Sequence, residues 1–237
     1  MRKFVAKNQV ERNIMVKIYR DRSEAGRELA TKLTAYAHRQ DVLVLALPRG
    51  GVPVGYEVAK ALQAPLDVFV VRKLGVPGHE ELAMGAIATG GICVINEEVV
   101  QMLHIPKQVI DAVVAKEQRE LERREHLYRD DRPPPDVNGC IVILVDDGLA
   151  TGSTMLAAVE ALRPQHPARL VVAVPVAAPS TCEEFRAEVD EIVCAQTPEP
   201  FYGVGYWYKD FSQLSDEEVH DLLSQAEQER PVAARKQ

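Results

Sequence analysis

The chain has 237 residues, enough for one large domain with a substantial core, and its 46% apolar and 27% charged content is that of an ordinary water-soluble protein. Its net charge of −7 and the lack of a long basic run argue against nucleic acid as a main partner. No apolar stretch approaches the length of a membrane span, which argues against a membrane protein.

The first residues, MRKFVAKNQVERNIMVKIYRD, are basic but lack an apolar signal core, so a cytoplasmic protein is expected. Ser23 precedes residues 24–38, which have helical spacing and good helix formers. Residues 42–47 are an apolar run that reads as a buried strand. Pro48-Arg49-Gly50-Gly51 is a turn, and residues 52–62 resume helical spacing. Residues 66–71 read as a second strand, and 75–81 as a polar loop containing Gly and Pro. Residues 84–95 suggest two short strands around Gly90-Gly91. Residues 106–128 form a long charged helix with Pro106 near its start. A stiff connector with three consecutive prolines, 132–138, leads to a third strand at 141–145 and a helix at 152–162. Strand 170–176, helix 180–187 and strand 191–195 follow. A last helix, 215–228, opens with a capping box of Ser215 and Glu218.

Cys93, Cys140, Cys182 and Cys194 include no Cys-x-x-Cys pair. They suggest neither a zinc site nor a disulfide framework and read as buried or idle thiols in a reducing compartment.

Strands and helices alternate, and the strands are apolar throughout. That pattern predicts an α/β fold with a parallel sheet flanked by helices on both faces. In such folds ligands bind beyond the carboxyl ends of the strands. Two strand-to-helix turns are candidates: residues 48–51 and residues 146–154.

The second lies in VILVDDGLATGST, residues 142–154. An apolar strand runs straight into Asp146 and Asp147, and placing two like charges there is unfavourable unless something uses them. Gly148, Leu149, Ala150, Thr151, Gly152, Ser153 and Thr154 then lead into a helix. The first-turn N–H groups of that helix lack internal partners, and its dipole adds partial positive charge. A phosphate monoester suits such a place. Thr151, Ser153 and Thr154 can each donate a hydroxyl bond, and Gly152 lets the backbone come close. The aspartates accept hydrogen bonds, so they suit vicinal hydroxyls or a hydrated cation. Ribose 5-phosphate presents both features. A Gly-Ser-Thr run alone is also an ordinary helix start. A P-loop needs a Lys before its hydroxyl residue, which is absent, and no G-x-G-x-x-G follows the first strand.

VILVDDGLATGSTM resembles the signature of type I phosphoribosyltransferases, which bind 5-phosphoribosyl-1-diphosphate. LALPRGG resembles their pyrophosphate loop, and VRKLGVPGHEELAMG lies where the family has a mobile lid. The resemblance covers about residues 23–195, and the chain looks like uncharacterised stand-alone members. It implies one domain over residues 1–237, with a core at about 23–195. A small hood would come from the N-terminal segment, the middle insertion and the C-terminal tail.

By the same resemblance, Asp146 and Asp147 engage the ribose hydroxyls, with Mg²⁺ held near them through water. Gly148 to Thr154 hold the 5-phosphate. Arg49, Gly50 and Gly51 hold the pyrophosphate, with Lys73, or Arg72 in its place, as a further contact. Asp146, Asp147, Arg49 and Lys73 are the implied catalytic residues. His79, Glu80 and Glu81 belong to the lid.

The tail PFYGVGYWYKDF resembles the base-binding segment of the hypoxanthine-guanine class, with Phe201 or Tyr202 able to stack on a flat acceptor. The chain departs from that class in two places. Ala195 precedes Gln196-Thr197-Pro198 where the class has Lys before Arg-Thr-Pro, and Lys209 stands near the place of its Asp. Both changes argue against a 6-oxopurine acceptor. Ala150 stands where some members carry a third acidic residue. The implied activity is Mg²⁺-dependent transfer of a phosphoribosyl group to an unidentified nitrogenous acceptor, releasing pyrophosphate, in a homodimer. The alternative is a non-catalytic protein of this fold that senses phosphoribosyl diphosphate or a nucleotide.

Overall fold

From Arg22 the chain forms α1 (Arg22–Lys32), β1 (Val42–Ala46), α2 (Gly51–Leu62) and β2 (Leu66–Val68). An excursion follows through β3 (Val71–Val76), β4 (His79–Ala88), β5 (Ile92–Ile95), α3 (Glu97–Met102) and α4 (Lys107–Arg129). The chain returns as β6 (Ile141–Val145), α5 (Ser153–Leu162), β7 (Arg169–Val176), α6 (Pro179–Glu184) and β8 (Glu191–Gln196), and ends in α7 (Asp216–Glu229). The structure is a computed structural model that describes residues 17–130 and 132–229, the side chain of Glu81 excepted. The segment before Lys17, expected in the hood, lies outside the described residues.

Five strands pair in parallel in the order β2-β1-β6-β7-β8. Every residue of β1 and β6 is buried, because helices cover both faces of the sheet. The pleat sorts their side chains. Leu43, Leu45, Val142, Leu144 and Val172 pack with α5 through Met155, Ala158 and Val159. Val42, Val44, Ile141, Ile143 and Val171 pack on the other face with Leu29 of α1 and Val54 and Val58 of α2. The chain leaves β1 for β2 on one side and comes back to β6 on the other. Strand order therefore reverses between β1 and β6, which opens a crevice at their carboxyl ends.

The excursion forms a separate antiparallel sheet, β3-β4-β5. Leu74, Met84 and Ile87 of this sheet join Leu121 and Tyr128 of α4 and Val219 and Leu223 of α7. Arg129 is 2% exposed, and its cation is offset by Asp67 at 2.7 Å and Glu125 at 3.0 Å, while Nη2 donates to the Val68 carbonyl. A fourth cluster joins the start of the described chain to its tail. There Tyr19, Ala25, Val176, Trp207 and Tyr208 pack together. The Tyr19 N–H donates to the Trp207 carbonyl at 2.8 Å, and the Lys209 N–H donates to the Tyr19 carbonyl at 2.8 Å.

The capping box of the last helix is present. The Glu218 N–H donates to Ser215 Oγ at 3.1 Å, and the Ser215 N–H donates to Glu218 Oε2 at 2.7 Å. Other expectations need correction. The first helix starts before residue 24 and takes in Ser23, with Asp21 as its cap: the Asp21 carboxylate accepts from the Glu24 N–H at 2.7 Å. That helix ends at Lys32, and a 3₁₀ turn, Thr34–Tyr36, follows.

The apolar run at 66–71 is two strands. Phe69 and Val70 cross from one sheet to the other fully buried, so hydrophobicity gives no sign of the break. Residues 75–81 form no open loop. Pro77 and Gly78, the latter at φ 81°, make a tight turn between β3 and β4, and the strand register shifts at Gly75. The cysteines are not all free thiols. Cys182 of α6 and Cys194 of β8 form a disulfide, brought together by the fold across 12 residues. Among the described residues no helix is long and apolar enough to cross a membrane.

Candidate active site

The two turns expected to carry chemistry meet in the crevice between β1 and β6. The Leu47 N–H donates to the Val145 carbonyl at 2.9 Å, which continues the pairing of the two strands into the turns. The Pro48–Arg49 peptide is cis. A Cβ on Gly50 would lie 2.1 Å from Asp147 Oδ2, and one on Gly51 would lie 2.7 Å from the Val145 carbonyl oxygen and 3.0 Å from Asp146 Cα. The Pro48–Gly51 turn is therefore seated directly on the acidic pair, at a distance that admits no side chain.

The acidic pair is half-buried. Asp146 Oδ1 accepts the Asp147 N–H at 2.8 Å. Desolvation pushes the Asp146 carboxyl well above the usual carboxylate range, and the charge of Asp147 pushes it further. Desolvation also raises Asp147, against the downward pull of Arg22. Arg22 Nε donates to Asp147 Oδ2 at 2.8 Å, with the two side chains only 11% and 14% exposed. Arg22 Nη1 also donates to the Ser212 carbonyl at 2.9 Å, and its guanidinium lies 4.0 Å from the centre of the Phe211 ring. Sequence reasoning missed Arg22, since 125 residues separate it from Asp147. The Tyr208 hydroxyl donates to the Asp147 carbonyl at 2.5 Å, and desolvation raises its phenol pKa.

In the loop after the aspartates the residues take different parts. Leu149 is buried and docked to the end of β7, where its N–H donates to the Val176 carbonyl and its carbonyl accepts from Ala178, both at 2.9 Å. Its side chain faces the core, so only its backbone can serve the site. Ala150 is exposed, and its carbonyl accepts the Thr181 hydroxyl at 2.6 Å. Gly152, at φ 72°, turns the chain into α5, and a Cβ there would lie 2.5 Å from the Phe185 ring. Thr151, Ser153 and Thr154 are exposed, and the Thr151 and Ser153 hydroxyl oxygens lie 3.3 Å apart.

Lys73 and Arg72 are separated by the pleat of β3. Lys73 Nζ donates to Ser153 Oγ at 3.4 Å, across the crevice. Arg72 is engaged elsewhere: its Nε and Nη2 donate to Glu117 at 2.9 and 2.6 Å. Among the described residues neither Lys73 nor Arg49 has a carboxylate partner, so both cations are available to an anion.

The tail crosses over the same end of the sheet. A Cβ on Gly148 would lie 2.5 Å from Val204 Cγ1. Phe201 is half-buried against the Tyr19–Trp207 cluster, while Tyr202 is 67% exposed with its ring 5.0 Å from that of Tyr206. Trp207 and Tyr208 are buried packing residues. His79 and Glu80 are exposed beside the hairpin turn. No group of three or more His, Cys, Asp or Glu side chains that could hold a metal occurs among the described residues. The Asp146–Asp147 pair fits a hard cation only if water and ligand oxygens complete its shell.

Known proteins resemble this chain in sequence and in fold. A family model described as "Phosphoribosyl transferase domain" matches residues 16–209. Two Mycobacterium tuberculosis proteins, "Putative phosphoribosyl transferase Rv0571c" of strain H37Rv and its counterpart MT0597 of strain CDC 1551, are each 46% identical over 211 residues. The match takes in 89% of this chain and 47% of each relative, so the chain spans about half the length of these curated relatives. The crystal structure of TT1426 from Thermus thermophilus is 40% identical with a TM-score of 0.78, covering 87% of this chain and 98% of that one.

Two stability effects follow from the packing. Because burial raises the Asp146 pKa on folding, the native state holds a proton that the unfolded chain releases, and stability falls as pH rises through that interval. Asp146→Asn keeps an acceptor oxygen for the Asp147 N–H and removes the charge. In metal-free buffer it is expected to melt higher than the parent at neutral pH. The gap should close as the pH falls toward the ordinary carboxylate value of about 3.9. Gly51→Ala forces its methyl group onto the Val145 carbonyl and is expected to lose about 1–3 kcal/mol, read by urea unfolding.

Proposed function

The chain belongs to the phosphoribosyl transferase family, and from that premise we propose that it moves the phosphoribosyl group of 5-phosphoribosyl-1-diphosphate to a nitrogenous acceptor, releasing pyrophosphate. The contact of Gly50 with Asp147 carries the reading. It joins an anion-binding turn to a pair of hydroxyl acceptors in one crevice, as a phosphorylated sugar with a second anionic group requires. The acceptor is left at its chemical class, a nitrogen nucleophile.

In this reading the 5-phosphate lies over Gly148 to Thr154. It takes hydroxyl bonds from Thr151, Ser153 and Thr154 and backbone N–H bonds from the start of α5. Asp146 and Asp147 accept from the ribose hydroxyls. Gly50 and Gly51 present backbone to the pyrophosphate, and Arg49 and Lys73 offset its charge. The C1–oxygen bond of the donor breaks as positive charge builds on the ring, the pyrophosphate carries away the electron pair, and the lone pair of the acceptor nitrogen forms the new bond to C1 as its proton passes to solvent. The cations stabilise that leaving group, and the acidic pair faces the electron-poor sugar. Mg²⁺, when bound, supplies Lewis-acid charge to the diphosphate, with Asp146 and Asp147 as its water-mediated anchors.

The segment from Phe201 to Tyr208, with the residues around Tyr19, serves as the hood, and Phe201 and Tyr202 flank the acceptor. The β3–β4 hairpin, which carries Lys73, closes the other side against water, in the place the family gives its lid.

Calorimetric titration with 5-phosphoribosyl-1-diphosphate and Mg²⁺ tests the proposal. The parent protein is expected to bind, and the double variant Asp146→Asn/Asp147→Asn to lose binding while remaining folded. Failure of the folded parent to bind overturns the proposal. Tight binding with no pyrophosphate release in an acceptor screen favours the sensing alternative, which the exposed Ala150 at the family's third acidic position also suits.

A further inference from the structure

Arg22 belongs to neither turn, yet it is bonded to the acidic pair. Asp21 caps α1 and so places Arg22 at the first position of the helix, beside the carboxyl end of the sheet. Three groups hold its guanidinium: Asp147 Oδ2 at 2.8 Å, the Ser212 carbonyl at 2.9 Å and the Phe211 ring at 4.0 Å. The arrangement joins the start of the described chain, the acidic pair and the tail at one point.

A half-buried ion pair adds little net stability, because desolvation offsets most of its attraction. Its clearer consequence is geometric. Asp147 Oδ2 is wedged between Arg22 Nε and the backbone of Gly50, where an added Cβ would meet it at 2.1 Å. The carboxylate is thereby fixed about its own side-chain torsions, and Oδ1 takes no bond from Arg22.

We propose that Arg22 is a positioning residue of the donor site. It holds the Asp147 carboxylate against Gly50 in the orientation that accepts a ribose hydroxyl, and its contacts with Phe211 and Ser212 make that orientation depend on the tail. The inference rests on the reading that Asp147 meets ribose. It adds a coupling between the tail and the donor acid. The Arg22 guanidinium touches Asp147 and not the reacting atoms, so its effect is on donor affinity.

The test uses two probes on the parent chain and on Arg22→Gln, Arg22→Lys and Phe211→Ala. One is 5-phosphoribosyl-1-diphosphate with Mg²⁺, the other pyrophosphate in metal-free buffer, which has no ribose and does not use the water-mediated metal anchor at Asp147. The Kd for the sugar diphosphate is expected to rise about tenfold or more in Arg22→Gln, the scale of one lost charge-assisted hydrogen bond. Arg22→Lys should recover part of the loss, and Phe211→Ala should show a smaller rise in the same direction. Pyrophosphate binding should stay within about twofold of the parent in all three. Equal weakening of both probes means a general structural role and overturns the inference. So does unchanged binding of the sugar diphosphate in a parent that binds it. A folded parent that binds neither probe overturns the donor-site reading itself. If Arg22→Gln fails to fold, Arg22→Lys and Phe211→Ala carry the same comparison.

Discussion

The approach of the Gly50-Gly51 backbone to Asp147 and Val145 constrains everything around it. No side chain fits in the gap, so the turn after β1 and the turn after β6 behave as one surface. The approach is possible because β1 and β6 are neighbours in step, with Ala46 opposite Val145. Their pairing in turn needs helices on both faces, since the two strands are buried throughout. The site is thus a consequence of sheet topology. Strand order reverses at this one boundary, and the two loops diverge there to opposite faces.

Placing two carboxylates at such a boundary is unfavourable for the empty fold. Their raised pKa values express that cost, and Arg22 offsets only part of it. Around them lie groups of opposite sense: the start of α5, the hydroxyls of Thr151, Ser153 and Thr154, and Arg49 and Lys73, which have no carboxylate partner among the described residues. The crevice therefore separates hydrogen-bond acceptors from anion-binding groups over a few ångströms. A ligand with hydroxyls in its middle and anions at both ends satisfies both halves. On the proposed reading, strain in the protein alone is relieved in the complex, as at many functional sites.

Much of this was legible in the residues. The strands of the central sheet show as uninterrupted apolar runs because they are buried on both faces, and Ser215 with Glu218 marks a helix start by local chemistry. The acidic pair stood out because charge at the end of such a run has no packing explanation. What failed depended on contacts distant in sequence. The link from Arg22 to Asp147 spans 125 residues, and the Cys182–Cys194 pairing joins a helix to the strand after it. The choice between Arg72 and Lys73 needed the pleat of β3 and the position of Glu117. Gly75, Pro77 and Gly78 are loop residues by composition and predict a loop where the fold has a hairpin. In the fold Gly75 sits at an irregularity within paired strands, and Pro77 and Gly78 make the turn.

The central claim is that the two turns hold the two ends of one phosphorylated sugar. A crystal structure of this chain with 5-phosphoribosyl-1-diphosphate and Mg²⁺ tests it most directly. The account predicts the 5-phosphate over Gly148 to Thr154, the ribose hydroxyls on Asp146 and Asp147, and the diphosphate between Arg49 and Lys73. Ligand density away from this crevice, or with the 5-phosphate against Arg49 and the diphosphate over Thr151, would contradict it.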